Sequence, residues 1–505
     1  MKKILYNIPI HSFLLAPVLI FFLFTNNYLS ISFHSTIRSY KVALLVSFSI
    51  FTLLYFLFKK NKHKAGVVTT YLILILFFYG LIYEVAEKMF YNGLWPFDEI
   101  HRYLVIFILI LTFVLFYFLF KTKKTFYSFT LALNVFVFIF LFINLGQLST
   151  VLVRNNIKAP ISEPRSHSAY KTSDSMPDVY YIILDGYAQD SILASQYHYK
   201  TNSLTTFLKK NNFYIASESQ TNYISTLPSL SSSLNFSYLD SIESNYQLDK
   251  NRNLIYENRV SKHFKEKGYK IVHIRSGYSV SRENYFADTT CALENLGEFE
   301  RTLLRYTILR LDDLLGYAQY NTLKEQLSVI HKAVDIKGPK YTFIHIVSPH
   351  PPYMCDENGN YKASKRVLNS WWEPKEDYLL QLKFVNKKII EIISEINKKS
   401  KTLPIIILQS DHGIDPMDSE WEKPELANKR SANFTAILAP DAKGFYSKIS
   451  PVNIFRVLLN DYFGAGLELL PDQTFVPKEH EATGEVTWQV ISPEFTQFSA
   501  KSAGQ

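Results

Sequence analysis

Five apolar stretches crowd the first third of this 505-residue chain and restrict what it can fold into more than any other feature. They run roughly from Ile8 to Thr25, Val42 to Phe58, Ala65 to Tyr83, Tyr103 to Phe120 and Phe126 to Leu152. A helix needs about 20 residues to cross the hydrocarbon core of a bilayer. None of the five stretches holds a Lys, Arg, Asp or Glu, and a charge at mid-helix costs about 2.5 to 3.5 kcal/mol on insertion scales. An amphipathic helix of a water-soluble domain would carry a polar face; these carry none. Lys2 and Lys3 before the first stretch would also suit a signal peptide. No small-residue cleavage site follows, so it is read as a retained helix, giving about five transmembrane helices.

The intervening charges predict an orientation. Lys2 and Lys3 precede the first stretch, Lys59, Lys60, Lys62 and Lys64 follow the second, and Lys121, Lys123 and Lys124 follow the fourth. The alternate loops hold only Arg38 with Lys41 and Lys88 with Arg102. Excess Lys and Arg marks cytoplasmic loops, so the N-terminus is expected in the cytoplasm. Five crossings then place everything after Leu152 on the extracytoplasmic side of a plasma (inner) membrane. The same clusters account for much of the formal charge of +9. No Arg-rich, aromatic-interleaved stripe points to nucleic acid. Two cysteines, Cys291 and Cys355, exclude a disulfide framework and a Cys-rich zinc site; a single bridge and two free thiols stay open.

From Arg154 to Pro177 the composition turns polar, with Pro160 and Pro164 among several Ser residues, as in a linker. Then Asp178-Val-Tyr-Tyr-Ile-Ile-Leu-Asp185-Gly186-Tyr187 reads as a buried strand feeding a turn. Similar runs recur at Tyr269 to Ile274, Tyr341 to Val347, Pro404 to Gln409 and Phe434 to Ala439. Helical patterns lie between them. In Leu379 to Lys399 the residues Leu379, Leu382, Phe384, Val385, Ile389, Ile390, Ile392 and Ile393 are apolar, with Lys on the other face. Alternating strands and helices predict an α/β domain with a mostly parallel central sheet. Ligands of such sheets bind beyond the carboxyl ends of the strands.

The polar motifs fall at those ends. Asp185 ends the first strand, Asp411 and His412 follow Pro404-Ile-Ile-Ile-Leu-Gln-Ser410, and His350 follows Tyr341-Thr-Phe-Ile-His-Ile-Val-Ser-Pro349. Two carboxylates and an imidazole at neighbouring strand ends can hold one divalent metal ion. Mixed oxygen and nitrogen ligands suit zinc or manganese best, with calcium or magnesium open. Singly, each motif reads equally as a turn; together they read as a site. The hydroxyl-rich Asn222-Tyr-Ile-Ser-Thr226-Leu-Pro228-Ser229 leads into an apolar helix start and, alone, is an N-cap. Arg275, in Ile274-Arg-Ser-Gly277, follows a strand and is either a binder of a phosphate oxygen or a surface Arg. Trp371 and Trp372 fall in a long insertion that reads as a substrate lid or a packed loop.

The order Asp185, Thr226, His350, Asp411-His412 resembles that of the alkaline phosphatase and sulfatase superfamily. Ile-Leu-Asp185-Gly-Tyr, Thr226-Leu-Pro-Ser-Leu, Ser348-Pro-His350-Pro-Pro-Tyr and Ser410-Asp411-His412-Gly413 carry the resemblance, which covers roughly Asp178 to Leu470. It is most similar to the membrane-bound lipoteichoic acid synthase and phosphoethanolamine transferase branch, in which five N-terminal helices are also typical. The resemblance implies a metal site of Asp185, Thr226, Asp411 and His412, with Thr226 as nucleophile and His350 contacting the transferred group or the leaving oxygen. Arg275 matches no family position. Sulfatases proper carry Cys or Ser in Cys-x-Pro-x-Arg, converted to formylglycine. Here Thr226-Leu-Pro-Ser-Leu230 stands instead, which turns the expectation from sulfate esters to phosphoryl transfer. The branch often has Glu as first ligand where this chain has Asp185.

The resulting expectation is a transmembrane domain at 1–153, a linker at 154–177, a sulfatase-like catalytic domain at 178–475 and a C-terminal tail at 476–505. The enzyme would move a phosphoglycerol or phosphoethanolamine type headgroup from a membrane lipid donor to a glycan or lipid acceptor of the cell envelope. Alternatives are a phosphodiesterase, phosphatase or sulfatase-like hydrolase, and a non-catalytic membrane protein on a decayed sulfatase fold.

Overall fold

The computed structural model describes residues 2–26, 33–90, 97–156, 176–239, 254–292, 298–308, 312–362, 374–414, 424–479 and 486–490. The chain forms two compact units, Met1–Pro160 with Leu296–Leu315, and Ile161–Asn295 with Gly316–Gln505. Trp371, Trp372 and most of the predicted linker lie outside the described residues.

In the first unit the five apolar stretches fold as helices His11–Asn26, Phe33–Leu57, Lys62–Phe90, Phe97–Lys121 and Tyr127–Asn156. The segments Thr36–Leu57, Lys62–Tyr83, Arg102–Lys121 and Tyr127–Thr150 are long and apolar enough to cross a membrane, while His11–Asn26 is apolar but shorter. Its 16 residues rise only about 24 Å. Large side chains such as Leu53, Phe113 and Phe142 face outward, an arrangement that suits hydrocarbon and not water. Several polar groups are paired between helices. The His11 backbone N–H donates to Asn134 Oδ1 (2.8 Å), and Asn134 Nδ2 donates to the carbonyls of Leu5 and Ile8. Lys64 Nζ donates to the carbonyls of Leu119 and Thr122. A Cβ on Gly66 would lie 2.6 Å from Pro9 Cβ, so the missing side chain permits the close helix approach common in membrane packing.

The second unit is built on a seven-stranded sheet. Its strands are β1 (Val179–Leu184), β2 (Tyr214–Ile215), β3 (Lys270–Ile274), β4 (Thr289–Cys291), β5 (Lys340–Ile346), β6 (Ile405–Gln409) and β7 (Thr435–Leu438), in the order β2-β7-β6-β1-β5-β3-β4. The five strands from β6 to β4 run parallel; β7 and β2 pair antiparallel at one edge. The short β2 and β4 have no counterpart in the sequence pattern. Side chains alternate across a strand, and β1 buries both faces. Tyr180, Ile182 and Leu184 join the core against Tyr378, Leu382, Val385, Ile389 and Ile393 of helix Lys375–Lys399. Val179, Tyr181 and Ile183 join the opposite core with Leu227, Leu230 and Leu234 of helix Thr226–Asn235 and Phe455 and Leu458 of helix Pro451–Phe463. Both cysteines are buried and free. Within 476–505 the described residues pair as antiparallel strands, β8 (Phe475–Glu479) with β9 (Val486–Val490). Phe475 stacks on Tyr223 at 5.1 Å and Trp488 meets the same ring edge-on at 5.0 Å, three residues before Thr226.

Candidate metal centre and active site

Strand register brings the polar motifs together. β1 lies between β5 and β6, with Ile183 level with His345 on one side and Gln409 on the other. Asp185 therefore emerges one residue past β1 as β5 ends, its N–H donating to Ile346 O (3.0 Å). Ser410, Asp411 and His412 emerge past β6. Thr226 opens helix Thr226–Asn235, and the N-cap Ser225 makes no side-chain cap. The hydroxyls of Thr221 and Ser229 both donate to Asp411 O at 2.6 Å, tying the start of that helix to the end of β6. The hydroxyl-rich segment thus does more than cap a helix.

Asp185, Thr226, Asp411 and His412 converge. His412 Nε2 lies 3.3 Å from Thr226 Oγ1, 3.3 Å from Asp411 Oδ2 and 3.6 Å from Asp185 Oδ1. Ligand atoms about 2.0 to 2.1 Å from a tetrahedral zinc ion stand about 3.4 Å apart, so the spacing fits a divalent cation. Two further observations agree. Asp185, His345 and Asp411 each offer one ligand atom within 4.8 Å of the others. Asp185 Oδ1, Asp411 Oδ2 and His345 Nε2 are buried and make no hydrogen bond, whereas buried polar atoms in proteins are nearly always paired.

The electrostatics have the same cause. Burial pushes Asp411 up, and the charge of Asp185 adds to it, to about 7. Burial alone would raise Asp185 as well, but its histidine surroundings, His350 foremost, outweigh it and hold this carboxyl well below its usual value. Two buried carboxylates cannot both ionise without a cation to offset them. Burial, then the Arg430 guanidinium, holds His412 well below the usual imidazole value, in the neutral form that ligates metals.

Arg430 and His345 join this site, though neither is among the residues that the sequence pattern singles out. Arg430, buried on helix Pro424–Ser431, donates to Ile224 O (2.9 Å) and Gly413 O (3.3 Å) and places Nη2 3.1 Å from His412 Nε2. His412 Nδ1 faces Gly413 O at 2.8 Å. A histidine inside the apolar run Tyr341 to Val347 was the one available signal for His345, since a buried polar group needs a partner. His350 sits beside the centre: its N–H donates to Asp185 O (3.0 Å), its Nδ1 lies 2.7 Å from Pro351 O, and its ring centroid is 6.2 Å from that of His412. Arg275 lies past β3 and is engaged with Glu283, with Nη2 and Nε each 3.0 Å from a carboxylate oxygen.

Gly413 completes the Asp-His-Gly turn for a steric reason. A Cβ there would lie 2.3 Å from Lys429 O and 2.8 Å from Ala432 O, both backbone atoms. Gly413→Ala is expected to destabilise the protein by at least about 2 kcal/mol, as overpacking against backbone does, and to shift His412. Thermal unfolding with and without added zinc measures both effects; an unchanged midpoint would contradict this account.

The family model described as Sulfatase matches residues 177–439. No curated protein matches the chain at a significant level. Among solved structures, the chain is similar to the C-terminal periplasmic domain of EcEptC from Escherichia coli, at 14% identity and a TM-score of 0.41, covering 63% of this chain and 94% of that one. It is also similar to the C-terminal periplasmic domain of the phosphoethanolamine transferase EptC from Campylobacter jejuni, at 14% identity and a TM-score of 0.34, covering 57% and 89%. A protein in the alkaline phosphatase superfamily from Vibrio parahaemolyticus matches at 10% identity and a TM-score of 0.37, covering 65% and 88%.

Proposed function

This chain belongs to the sulfatase family, and from that premise we propose that it is a membrane-anchored, metal-dependent transferase. It would move a phosphorylated headgroup from a lipid donor to a glycan or lipid hydroxyl on the extracytoplasmic side, through a phospho-Thr226 intermediate. The observation that carries this reading is Thr226 itself. A threonine hydroxyl, at the N-terminus of a ten-residue helix, stands 3.3 Å from His412 Nε2 beside two buried carboxylates. The family's aldehyde chemistry needs Cys or Ser at this place, and Thr cannot supply it.

Asp185, Asp411 and His412 would hold the cation, which when bound lowers the pKa of a neighbouring hydroxyl and offsets charge on a phosphoryl oxygen. Thr226 Oγ1 attacks phosphorus as its proton passes to water, and the P–O bond to the lipid alcohol breaks. With the Nδ1–H of His350 spent on Pro351 O, Nε2 takes up a proton from water and delivers it to the departing oxygen. The positive end of helix Thr226–Asn235 favours the phosphoryl group held there. An acceptor hydroxyl then attacks the phosphothreonine and releases Thr226. Arg275 would take part only by exchanging Glu283 for a phosphate oxygen. A lipid donor suits the apolar helices, because its headgroup reacts without its tails leaving the bilayer.

The test supplies headgroup-labelled phospholipid to the full chain in liposomes. The expected result is label on the peptide carrying Thr226, chased onto an added glycan or lipid acceptor. Label released only to water would favour the hydrolase, and no labelled peptide under any donor would overturn the covalent route.

A further inference from the structure

His345 lies outside the set of Asp185, Thr226, Asp411 and His412. It lies on β5 and is wholly buried. Its Nδ1 is 2.6 Å from Ser281 Oγ, which is 2.8 Å from Ser276 Oγ. Ser276 Oγ donates to Tyr278 O (3.1 Å) and accepts from the Tyr278 N–H (3.0 Å). Counting protons along this chain assigns the tautomer. Ser276 spends its one hydroxyl proton on Tyr278 O, so Ser281 donates to Ser276. Ser281 then accepts from His345, and the imidazole proton sits on Nδ1.

In the neutral imidazole, Nε2 of His345 then carries the lone pair. It points at Asp185 Oδ2, 3.5 Å away, and makes no hydrogen bond. A lone pair facing a carboxylate oxygen, both buried, is repulsive unless a cation lies between them. The ligand atoms of Asp185, His345 and Asp411 lie within 4.8 Å of one another, near the limit of about 4.4 Å that two bonds of about 2.2 Å to one ion set. His412 Nε2, by contrast, already has the Arg430 guanidinium at 3.1 Å.

We propose that His345 is a direct ligand of the divalent cation through Nε2, on the Oδ2 side of Asp185, with Ser281 as the residue that orients its ring. This inference rests on the metal-site reading above. The serine on Nδ1 is the outer-shell partner that ligating histidines regularly have.

The experiment strips the full-length protein of metal in detergent, reloads it with zinc alone, and reads zinc affinity by chelator competition and imidazole number by zinc-edge X-ray absorption. His345→Gln is expected to weaken zinc binding at least about 100-fold, beyond the 10- to 100-fold effect typical of outer-shell residues, and to remove one imidazole from the spectrum. Affinity within threefold of the parent and an unchanged imidazole number would overturn the proposal and leave the metal site standing. A parent protein that takes up no zinc would overturn both. If His345→Gln does not fold, His412→Gln decides. It is expected to bind zinc with one imidazole remaining, and zinc bound without any would exclude His345.

Discussion

Thr226→Ala is expected to lower turnover by at least about a thousandfold, because loss of a covalent nucleophile leaves only the catalysis that binding and electrostatics provide. The fold should survive. Thr226 is buried and its hydroxyl meets His412 at 3.3 Å and the Asp411 carboxylate, so truncation costs about 1 to 2 kcal/mol. Helix Thr226–Asn235 stays anchored by Leu227, Leu230 and Leu234 in the core and by Ser229 on Asp411 O. Thr226→Ser retains a hydroxyl at the same atom and should keep a measurable fraction of the rate. Turnover of labelled phospholipid, compared at equal zinc content, checks this; a fully active Thr226→Ala protein would end the phosphothreonine route.

Metal removal should reverse the stability ranking of the parent and Asp411→Asn. Without metal, burial and then the charge of Asp185 raise Asp411 to about 7, against about 3.9 in an unfolded chain. The native state then binds a proton that the unfolded state has released, so Asp411 costs stability increasingly from about pH 4 to about pH 7. Neutral buried histidines act in the opposite sense over part of the same window: burial brings His263 and His273 down to about 4 and holds His412 low as well. The difference between the two proteins isolates Asp411. In chelator, Asp411→Asn should match the parent at pH 4 and melt higher at pH 8. With zinc the parent should melt higher at pH 8, because it retains the ligand. Thermal unfolding at the two pH values measures the ranking, and equal melting in chelator at pH 8 would show that the two carboxylates do not repel.

The parts of this protein that were legible in the sequence share one property: their signal is local. The apolar helices were visible because lipid-facing and protein-facing surfaces are both apolar, leaving runs without charge. β1, β3, β5, β6 and β7 were visible because strands covered on both faces read as short β-branched runs. Asp185, Asp411 and His412 were visible because polar residues follow those runs at once. β2 and β4, of two and three residues, are too short to leave a pattern, and exist because a neighbouring strand offers them an edge.

Arg430 and His345 were illegible for a different reason. Arg430 sits in an unremarkable polar helix, and its reach to His412, Gly413 and Ile224 depends on where that helix packs. His345 looks like one residue of a core strand until β5 is placed beside β1. Its register with Ile183 then sets it against Asp185, and Ser281 fixes its ring.

By itself the amino-acid sequence determined the apolar helices, the α/β class and the order of the chemistry-bearing motifs, because hydrophobic periodicity and turn residues act between near neighbours. Only the tertiary structure decided which imidazoles face Asp185 and where Arg430 reaches. Contacts between residues a hundred or more positions apart depend on strand order and register, which no local pattern encodes.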